Sequence, residues 1–220
     1  MILPSTLTFL VGIAEHNDRD WFQDHKADYD KARENVLEFT RSVIRGIALF
    51  DATVPADLDP KSCVMRIYRD IRFSKNKTPY KNNFGIGISR QGKNFDGAGY
   101  YLHIQPGESF IAAGSWQPET QQLKAIRQEI DYNGADLLEL LNNERFVKLA
   151  GDLSAEDQLK TMPKGYPADH PMIHYLKLKS FNAVANLPDS LLTGDQAAEQ
   201  VVDMFETLHP LVVFLRNAVN

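Results

Sequence analysis

Apolar residues recur at steps of three and four along the first fifty residues, a spacing that places them on one face of a helix. They form a single stripe that we expect to be buried: Trp21, His25, Tyr29, Ala32, Val36, Phe39, Val43, Ile47 and Phe50. Asp18 stands where an N-cap is expected, so the pattern predicts a long helix over residues 19–50. A shorter helix is predicted over residues 5–15.

After a proline- and aspartate-rich loop at 51–60, the pattern changes to the alternation that is typical of strands. Strands are predicted at 63–73, 83–90, 99–105 and 109–114. Because they are joined by short turns, they predict an antiparallel meander. One face of this sheet is apolar, and the other carries polar residues and glycines: Arg66, Tyr68, Asp70, Arg72, Gly85, Gly87, Ser89, Tyr101, His103 and Gln105.

The rest of the chain is predicted to be helical. Helices are expected over 118–132, 135–142, 143–150 and 170–177, followed by a last helix that Thr193 and Gln196 cap. The buried stripe of that last helix is Val201, Phe205, Leu208, Val212, Leu215 and Val219. The sequence therefore predicts an α+β fold in a single domain over 1–220, with helices packed on one face of the sheet. Its parts are N-terminal helices (5–50), a sheet (62–114) and a C-terminal helical part (117–219).

Composition is that of an ordinary globular protein, with 43% hydrophobic residues among 220. Cys63 is the single cysteine, which excludes a disulfide framework and a cysteine-based zinc site. There is no signal-peptide pattern and no apolar run of membrane-spanning length. We therefore expect a cytoplasmic protein without a membrane partner. No motif for a metal or cofactor is present, and none is expected.

Charge changes this picture at one place. Residues 61–81 carry seven cations and one acid, for a net charge of +6, whereas the whole chain is −5 and the remaining 199 residues are −11. An acidic protein that concentrates cations in one short segment is expected to use them on an anion. Glycines in a strand often mark the close approach of another backbone or of a ligand. The predicted polar face would then be a groove with a glycine floor and walls of arginine, tyrosine and histidine.

Four segments also resemble a known family. In chain order they read FL…NDRDWFQDHKADYD, RIYRDIRFSKNKTPYKNNFG, GYYLHIQPGESFIAAGSW and MPKGYPADHP, and they span about residues 9–180. They resemble the DUF2461 family, a group of conserved proteins of unknown function. Asn76 stands where that family usually carries aspartate. The resemblance implies a stand-alone, single-domain cytoplasmic protein, and it supplies no reaction, substrate or catalytic residue.

These observations favour a binding site for a phosphorylated small molecule or a nucleotide. The expected ligand-binding residues are those selected by charge and those that the family motifs add: Arg66, Arg69, Arg72, Lys75, Lys77, Tyr80, Lys81, Tyr101, Trp116, Trp21, Lys26 and Lys164. If the site is catalytic, the acid–base candidates are Asp70, His103 and His25. Asp70 lies among arginines, so its pKa is expected to be lowered.

Two alternatives stay open. In the first, the chain is a nucleic-acid-binding module in which Tyr68 and Tyr101 stack on bases; the net charge of −5 weighs against it. In the second, the protein is a non-catalytic structural or interaction protein. The arginines, such as Arg66 and Arg69, would then form internal ion pairs with the acidic remainder of the chain.

Overall fold

A computed structural model describes residues 1–219 of the chain. Its elements are α1 (Pro4–Glu15), α2 (Arg19–Asp24), α3 (Lys26–Ile47), α4 (Pro60–Cys63), β1 (Phe84–Ile88), β2 (Gly99–Ile104), β3 (Ser109–Ser115), α5 (Thr120–Tyr132), α6 (Gly134–Leu141), α7 (Glu144–Ala150), α8 (Ile173–Leu176), β4 (Phe181–Leu187), α9 (Asp189–Leu192) and α10 (Ala197–Val219). The strands form an antiparallel sheet in the order β1-β2-β3-β4, and helices pack against it. This confirms the predicted α+β class.

Two compact units make up the described chain. The first consists of 1–95, 101–111 and 186–203, and the second of 96–100, 112–185 and 204–219. Strands β2, β3 and β4 and helix α10 contribute residues to both units. The single-domain organisation stays a prediction. No helix among residues 1–219 is long and apolar enough to cross a membrane.

The first helices follow the sequence pattern with one break. The Asp18 carboxylate accepts a hydrogen bond from the Trp21 backbone N–H at 2.9 Å, which confirms it as an N-cap. The predicted helix 19–50 is nevertheless two helices, because α2 ends at Asp24 and α3 begins at Lys26. The ring of His25 stacks on Trp21 with 4.0 Å between centroids, and its Nδ1 donates to the Trp21 carbonyl at 2.9 Å. A side chain that bonds to the local backbone in this way competes with regular helix.

The middle of the predicted stripe is buried as expected, from Tyr29 to Ile47 on α3. Its two ends are not, since Trp21, His25 and Phe50 are only partly buried. Within the first unit, α3 packs against β1, where the Tyr29 ring lies 6.4 Å from that of Phe84. The stripe therefore fixes one side of α3 on the sheet.

The predicted strand 63–73 is wrong. Residues 60–63 form the helical turn α4, in which the Asp59 carboxylate accepts a hydrogen bond from the Lys61 N–H at 3.0 Å. Beyond it, residues 64–73 make only two isolated antiparallel bridges, Val64 with Ile86 and Tyr68 with Tyr80. The alternation does not correspond to a buried face, since Phe73 is 94% exposed. Arg66, Tyr68, Asp70 and Arg72 therefore do not lie on a sheet face, and the sheet begins at Phe84 rather than at residue 62.

The three following strands are confirmed within a residue or two of their predicted bounds. On β2, Tyr100, Leu102 and Ile104 are fully buried while Tyr101 and His103 are half-buried, as the alternation predicts.

The glycine floor, however, is covered by the chain itself. A Cβ at Gly85 would lie 2.8 Å from the Tyr101 hydroxyl, and one at Gly87 would lie 3.0 Å from the Lys93 Cα. These glycines therefore allow a close approach of neighbouring chain and do not leave an open groove.

The C-terminal part is not wholly helical, because β4 lies at Phe181–Leu187. The sequence signal for this strand is weak, since two of its inward residues are the small Ala183 and Ala185.

Helices α5, α6 and α7 confirm their predictions, whereas the helix expected at 170–177 is reduced to the single turn α8, with Met172 at its N-cap. Thr193 ends α9 instead of capping α10. The stripe of α10 is buried from Val201 to Leu215, as expected.

Candidate functional site

Residues 64–83 are held in the first unit by backbone bonds at both ends. Met65 N–H donates to the Gly85 carbonyl at 2.8 Å, which ties the start of the segment to β1. Further on, Arg69 N–H donates to the Pro79 carbonyl at 2.9 Å, and Lys81 N–H donates to the Ile67 carbonyl at 2.8 Å. The segment therefore folds back on itself as a loop that is closed by the Tyr68–Tyr80 bridge.

The side chain of Asn17 clamps this loop from outside. Its Nδ2 donates to the Tyr80 carbonyl at 3.1 Å, and its Oδ1 accepts from the Tyr80 N–H at 3.0 Å. The Tyr80 ring is stacked on Phe22, with 4.1 Å between centroids and 16° between planes. Tyr80, an expected ligand residue, is only 6% exposed and acts mainly as an anchor for the closed loop.

A cleft of about 480 Å³ opens beside this loop in the first unit. We call it the basic cleft, because four of its nine lining residues are cations and none is an acid. It is lined by Tyr29, Arg33, Val64, Met65, Arg66, Tyr68, Lys81, Lys93 and Asn94. Arg66 and Lys81 belong to the charged segment 61–81, whereas Arg33 comes from α3 and Lys93 from the loop after β1.

None of these four cations forms an ion pair with a carboxylate among residues 1–219. The side chains of Arg33, Arg66 and Lys81 make no hydrogen bond or ion pair with any residue from 1 to 219. The Lys93 ammonium donates to the carbonyls of Lys61 and Ser62 at 3.3 and 3.2 Å, which leaves its charge uncompensated. The basic cleft therefore concentrates positive charge that the described chain does not neutralise.

The surroundings of Lys81 disfavour its positive charge. Burial and, secondarily, the nearby Arg66 lower the pKa of the Lys81 ammonium below its usual 10.5. Both causes disfavour the charged form, so an anion beside Lys81 would relieve the repulsion from Arg66.

Two tyrosines supply aromatic surface at the basic cleft. Tyr68 is 49% exposed, and its ring centroid lies 5.4 Å from that of Tyr80. Tyr29 is buried at the base, and burial raises the pKa of its hydroxyl above 10. Tyr68 therefore has a free face that a planar group could stack on.

A second cleft, of about 360 Å³, lies in the same unit. We call it the amide cleft, since four asparagines line it: Asn17, Asn76, Asn82 and Asn83. Its other lining residues are Ala14, Arg69, Thr78, Tyr80 and Lys81. Lys81 thus lines both clefts. Arg69 donates from Nη1 to the Thr78 hydroxyl and has no carboxylate partner among the described residues.

Arg72 lies outside both clefts. It forms a two-point contact with Asp70, in which Nη2 lies 2.7 Å from Oδ2 and Nε lies 3.0 Å from Oδ1. The hydrogen bonds from Arg72 lower the pKa of Asp70, in the direction that we expected. The Arg72 side chain is 75% exposed.

Lys75 and Lys77 share this loop and line neither cleft, and the Lys77 ammonium donates to the Ile71 carbonyl at 2.9 Å.

Trp21, His25 and Lys26 line neither cleft, although the Lys26 ammonium lies 5.0 Å from the ring centroid of Tyr29. Trp21 packs between His16 and His25, and its ring covers Gly12, where a Cβ would lie 2.8 Å from Trp21 Cζ2. Lys26 pairs with Asp30 on α3. These contacts hold α1, α2 and α3 together. Trp116 and Lys164 belong to the second unit, where both are exposed.

A hydrogen-bonded chain runs along the half-buried side of β2 in the first unit. Gln105 donates its amide N–H to the Glu108 carboxylate, so its Oε1 accepts from His103 Nε2 at 3.1 Å. His103 Nδ1 is then an acceptor for the Tyr101 hydroxyl at 3.1 Å. Burial lowers the pKa of His103 and raises that of Tyr101. The chain holds one tautomer of His103, and neither His103 nor Tyr101 lines either cleft.

The structure thus brings together Arg66 and Lys81 of the expected residues, and places Arg69 and Tyr80 on the amide cleft beside Lys81. Sequence reasoning missed Arg33 and Lys93. Arg33 stands one turn after Tyr29 on α3, a spacing of four that puts both on one face and could have indicated it. Lys93 has no comparable signal, since it lies in a loop whose path depends on the fold.

Comparison with known proteins adds a family and nothing closer. No curated protein and no solved structure matches the chain. A family model described as "Conserved hypothetical protein (DUF2461)" matches residues 5–214 of the 220. This match covers both clefts and nearly the whole chain, and it agrees with the four sequence segments noted above. The chain therefore belongs to the DUF2461 family.

Proposed function

We propose that this protein binds a phosphorylated small molecule or a nucleotide in the basic cleft. One observation carries the proposal: Arg33, Arg66, Lys81 and Lys93 line one cleft without an acid among its lining residues. Cations gathered in a concave surface without counter-charges raise the local potential for an anion. A phosphate group, with two charges and several acceptor oxygens, can engage several such donors at once.

Residue types in the basic cleft favour phosphate over a simple carboxylate. Arginine offers a forked set of donors, and two arginines and two lysines provide more donors than one carboxylate can accept. The exposed face of Tyr68 offers a surface for a planar group such as a nucleobase. The cleft volume of about 480 Å³ lies within the range of small-molecule sites.

The ion-pair alternative finds no support at the residues on which it depends. Neither Arg66 nor Arg69 pairs with a carboxylate among the described residues. Arg66 is exposed, so its removal strands no buried acid.

The test is isothermal titration with inorganic phosphate and AMP, using Arg66→Ala with Arg72→Ala as the matched control. Both arginines are exposed and belong to the same segment, but only Arg66 lines the basic cleft. We expect Arg66→Ala to weaken binding by about tenfold or more, the size of a charged hydrogen bond, while Arg72→Ala stays near wild type.

Two results would contradict the proposal. Loss of binding in Arg72→Ala together with normal binding in Arg66→Ala would move the site to the exposed loop. Absence of binding in the wild-type protein at millimolar phosphate and AMP would remove the proposed function.

A further inference from the structure

We infer that the ligand is a phosphorylated sugar, with its phosphate in the basic cleft and its hydroxyl groups in the amide cleft. The sugar is either free or the ribose phosphate of a nucleotide. This inference rests on the proposed function and adds the chemical class of the uncharged part of the ligand, which is a sugar.

The side chains of the amide cleft have the chemistry that hydroxyl groups need. A side-chain amide presents two N–H donors and one carbonyl acceptor, and a sugar hydroxyl both donates and accepts. Asn82 and Asn83 are half-buried, and their amides make no hydrogen bond to any other side chain or backbone group from 1 to 219. They are therefore available to a ligand that is polar and uncharged.

Two other asparagines that line the amide cleft are fixed in place by hydrogen bonds. Asn17 is held by its two bonds to the backbone of Tyr80, and Asn76 Oδ1 accepts from both the N–H and the hydroxyl of Thr78, at 2.9 and 2.8 Å. Arg69 in turn donates to the Thr78 hydroxyl. Side chains locked in this way lose little freedom when a ligand binds, which favours a pre-formed site.

The two clefts share one lining residue and are lined by one stretch of chain. Lys81 lines both, and Asn82 and Asn83 follow it directly before β1. We therefore expect a ligand whose phosphate contacts Lys81 in the basic cleft to reach the amide cleft with the atoms attached to that phosphate. The Tyr68–Tyr80 bridge fixes the register of this stretch, since Lys81 N–H is bonded to the Ile67 carbonyl.

The lining also argues against other phosphate esters. Ala14 and Tyr80 are the amide cleft's apolar lining residues, and Tyr80 is already stacked on Phe22. An acyl or prenyl chain would find little apolar surface there and would strand the asparagine amides. No acid lines the amide cleft, which gives no partner to an aminated or cationic ligand.

The experiment is isothermal titration of the full-length protein with four probes: inorganic phosphate, ribose, ribose 5-phosphate and AMP. We expect ribose 5-phosphate to bind at least tenfold tighter than inorganic phosphate, while ribose alone binds weakly. Tighter binding of AMP than of ribose 5-phosphate would identify a nucleotide as the source of the sugar phosphate. Equal or weaker binding of AMP would identify the free sugar phosphate.

Variants then separate the two clefts. In Asn82→Ala/Asn83→Ala the affinity for inorganic phosphate should be kept, and the tenfold advantage of ribose 5-phosphate should be lost. Asn142→Ala, which removes an exposed amide on the other unit, serves as the control. The single variants Asn82→Ser and Asn83→Ser provide the same comparison if the double variant does not fold.

The outcomes distinguish the two proposals. If phosphate and ribose 5-phosphate bind wild type equally, or if the amide variants keep the advantage of the sugar phosphate, this inference is wrong and phosphate binding stands. If wild type binds none of the phosphorylated probes, the proposed function fails and this inference falls with it.

Discussion

At the scale of single residues, the most informative feature is Lys81, whose surroundings in the folded protein disfavour its positive charge. Lys81 is partly buried beside Arg66, and both conditions disfavour its charge. Under the proposed function a ligand phosphate compensates this charge, and binding sites are often built at a cost to stability. A substitution at this position should therefore separate stability from binding.

Lys81→Met should stabilise the ligand-free protein and weaken phosphate binding. The pKa of Lys81 in the folded protein lies below its usual 10.5, so the unfolded chain binds more protons between the two values, and stability rises with pH through that window. At pH 7 the charge opposes folding. Methionine keeps most of the apolar stem without it, so we expect the Tm to rise by about 1–3 °C.

The measurement is the Tm from pH 7 to pH 10, with and without inorganic phosphate, for wild type and Lys81→Met. Lys75→Met is the control, because Lys75 is exposed and lines neither cleft. A lower Tm of Lys81→Met at pH 7, or a phosphate-induced shift equal to that of wild type, would contradict this account.

At the scale of elements, the site depends on a closed loop more than on a strand. The loop from Tyr68 to Tyr80 has one bridge and the clamp from Asn17, which lies between α1 and α2. The position of Lys81 and of both clefts follows from that closure. Removal of the Asn17 hydrogen bonds is therefore expected to change the position of Lys81 and the shape of both clefts.

Asn17→Ala should destabilise the protein by about 1–2 kcal/mol, because the Tyr80 N–H and carbonyl lose their partner and water in the amide cleft replaces it only in part. Asn17→Asp keeps the acceptor for the N–H but sets a carboxylate oxygen against the Tyr80 carbonyl, so we expect a loss at least as large as in Asn17→Ala. Urea unfolding gives the free energy, and hydrogen exchange of the Lys81 amide reports opening of the Tyr68–Tyr80 bridge. Unchanged exchange at Lys81 in Asn17→Ala would show that the clamp does not hold the loop.

At the scale of the whole molecule, the charge distribution limits what the protein binds. The chain is −5 overall, and outside residues 61–81 it is −11. The charge of a small phosphorylated ligand would meet only the basic cleft, whereas the charges of a long polyanion would also meet the acidic remainder. The global charge therefore favours a small ligand over an extended nucleic acid.

A ten-nucleotide single strand should accordingly bind no tighter than AMP at 150 mM salt. The logarithm of its affinity should fall only gently with the logarithm of salt concentration, as for one or two neutralised phosphates. Fluorescence anisotropy over a salt series measures this slope. A slope of about −3.5 or steeper, equivalent to five or more phosphates on a single strand, would favour the nucleic-acid-binding alternative.

The sequence by itself determined the features that depend on neighbours a few residues away. The spacing of apolar residues by three and four correctly predicted the buried faces of α3 and α10, and Asp18 was correctly predicted as an N-cap. The alternation of apolar and polar residues correctly located β1, β2 and β3. Charge counting selected all seven cations of residues 61–81, because they lie in one short segment, and it could not separate Arg66 and Lys81 from the others. The alternation at 63–73 failed, since local pattern cannot show whether a facing apolar layer exists to bury it.

Only the tertiary structure decided which of the cations share a cleft. Arg33 and Lys93 stand on α3 and in a loop after β1, far from residues 61–81 in sequence, and packing in the first unit brings them to Arg66 and Lys81. The tertiary structure also pairs Arg72 with Asp70, and it covers Gly85 and Gly87 with other side chains and backbone of the same chain. Charge and period can be read from the chain in order, whereas a site is defined by distances in space, which depend on every long-range contact of the fold.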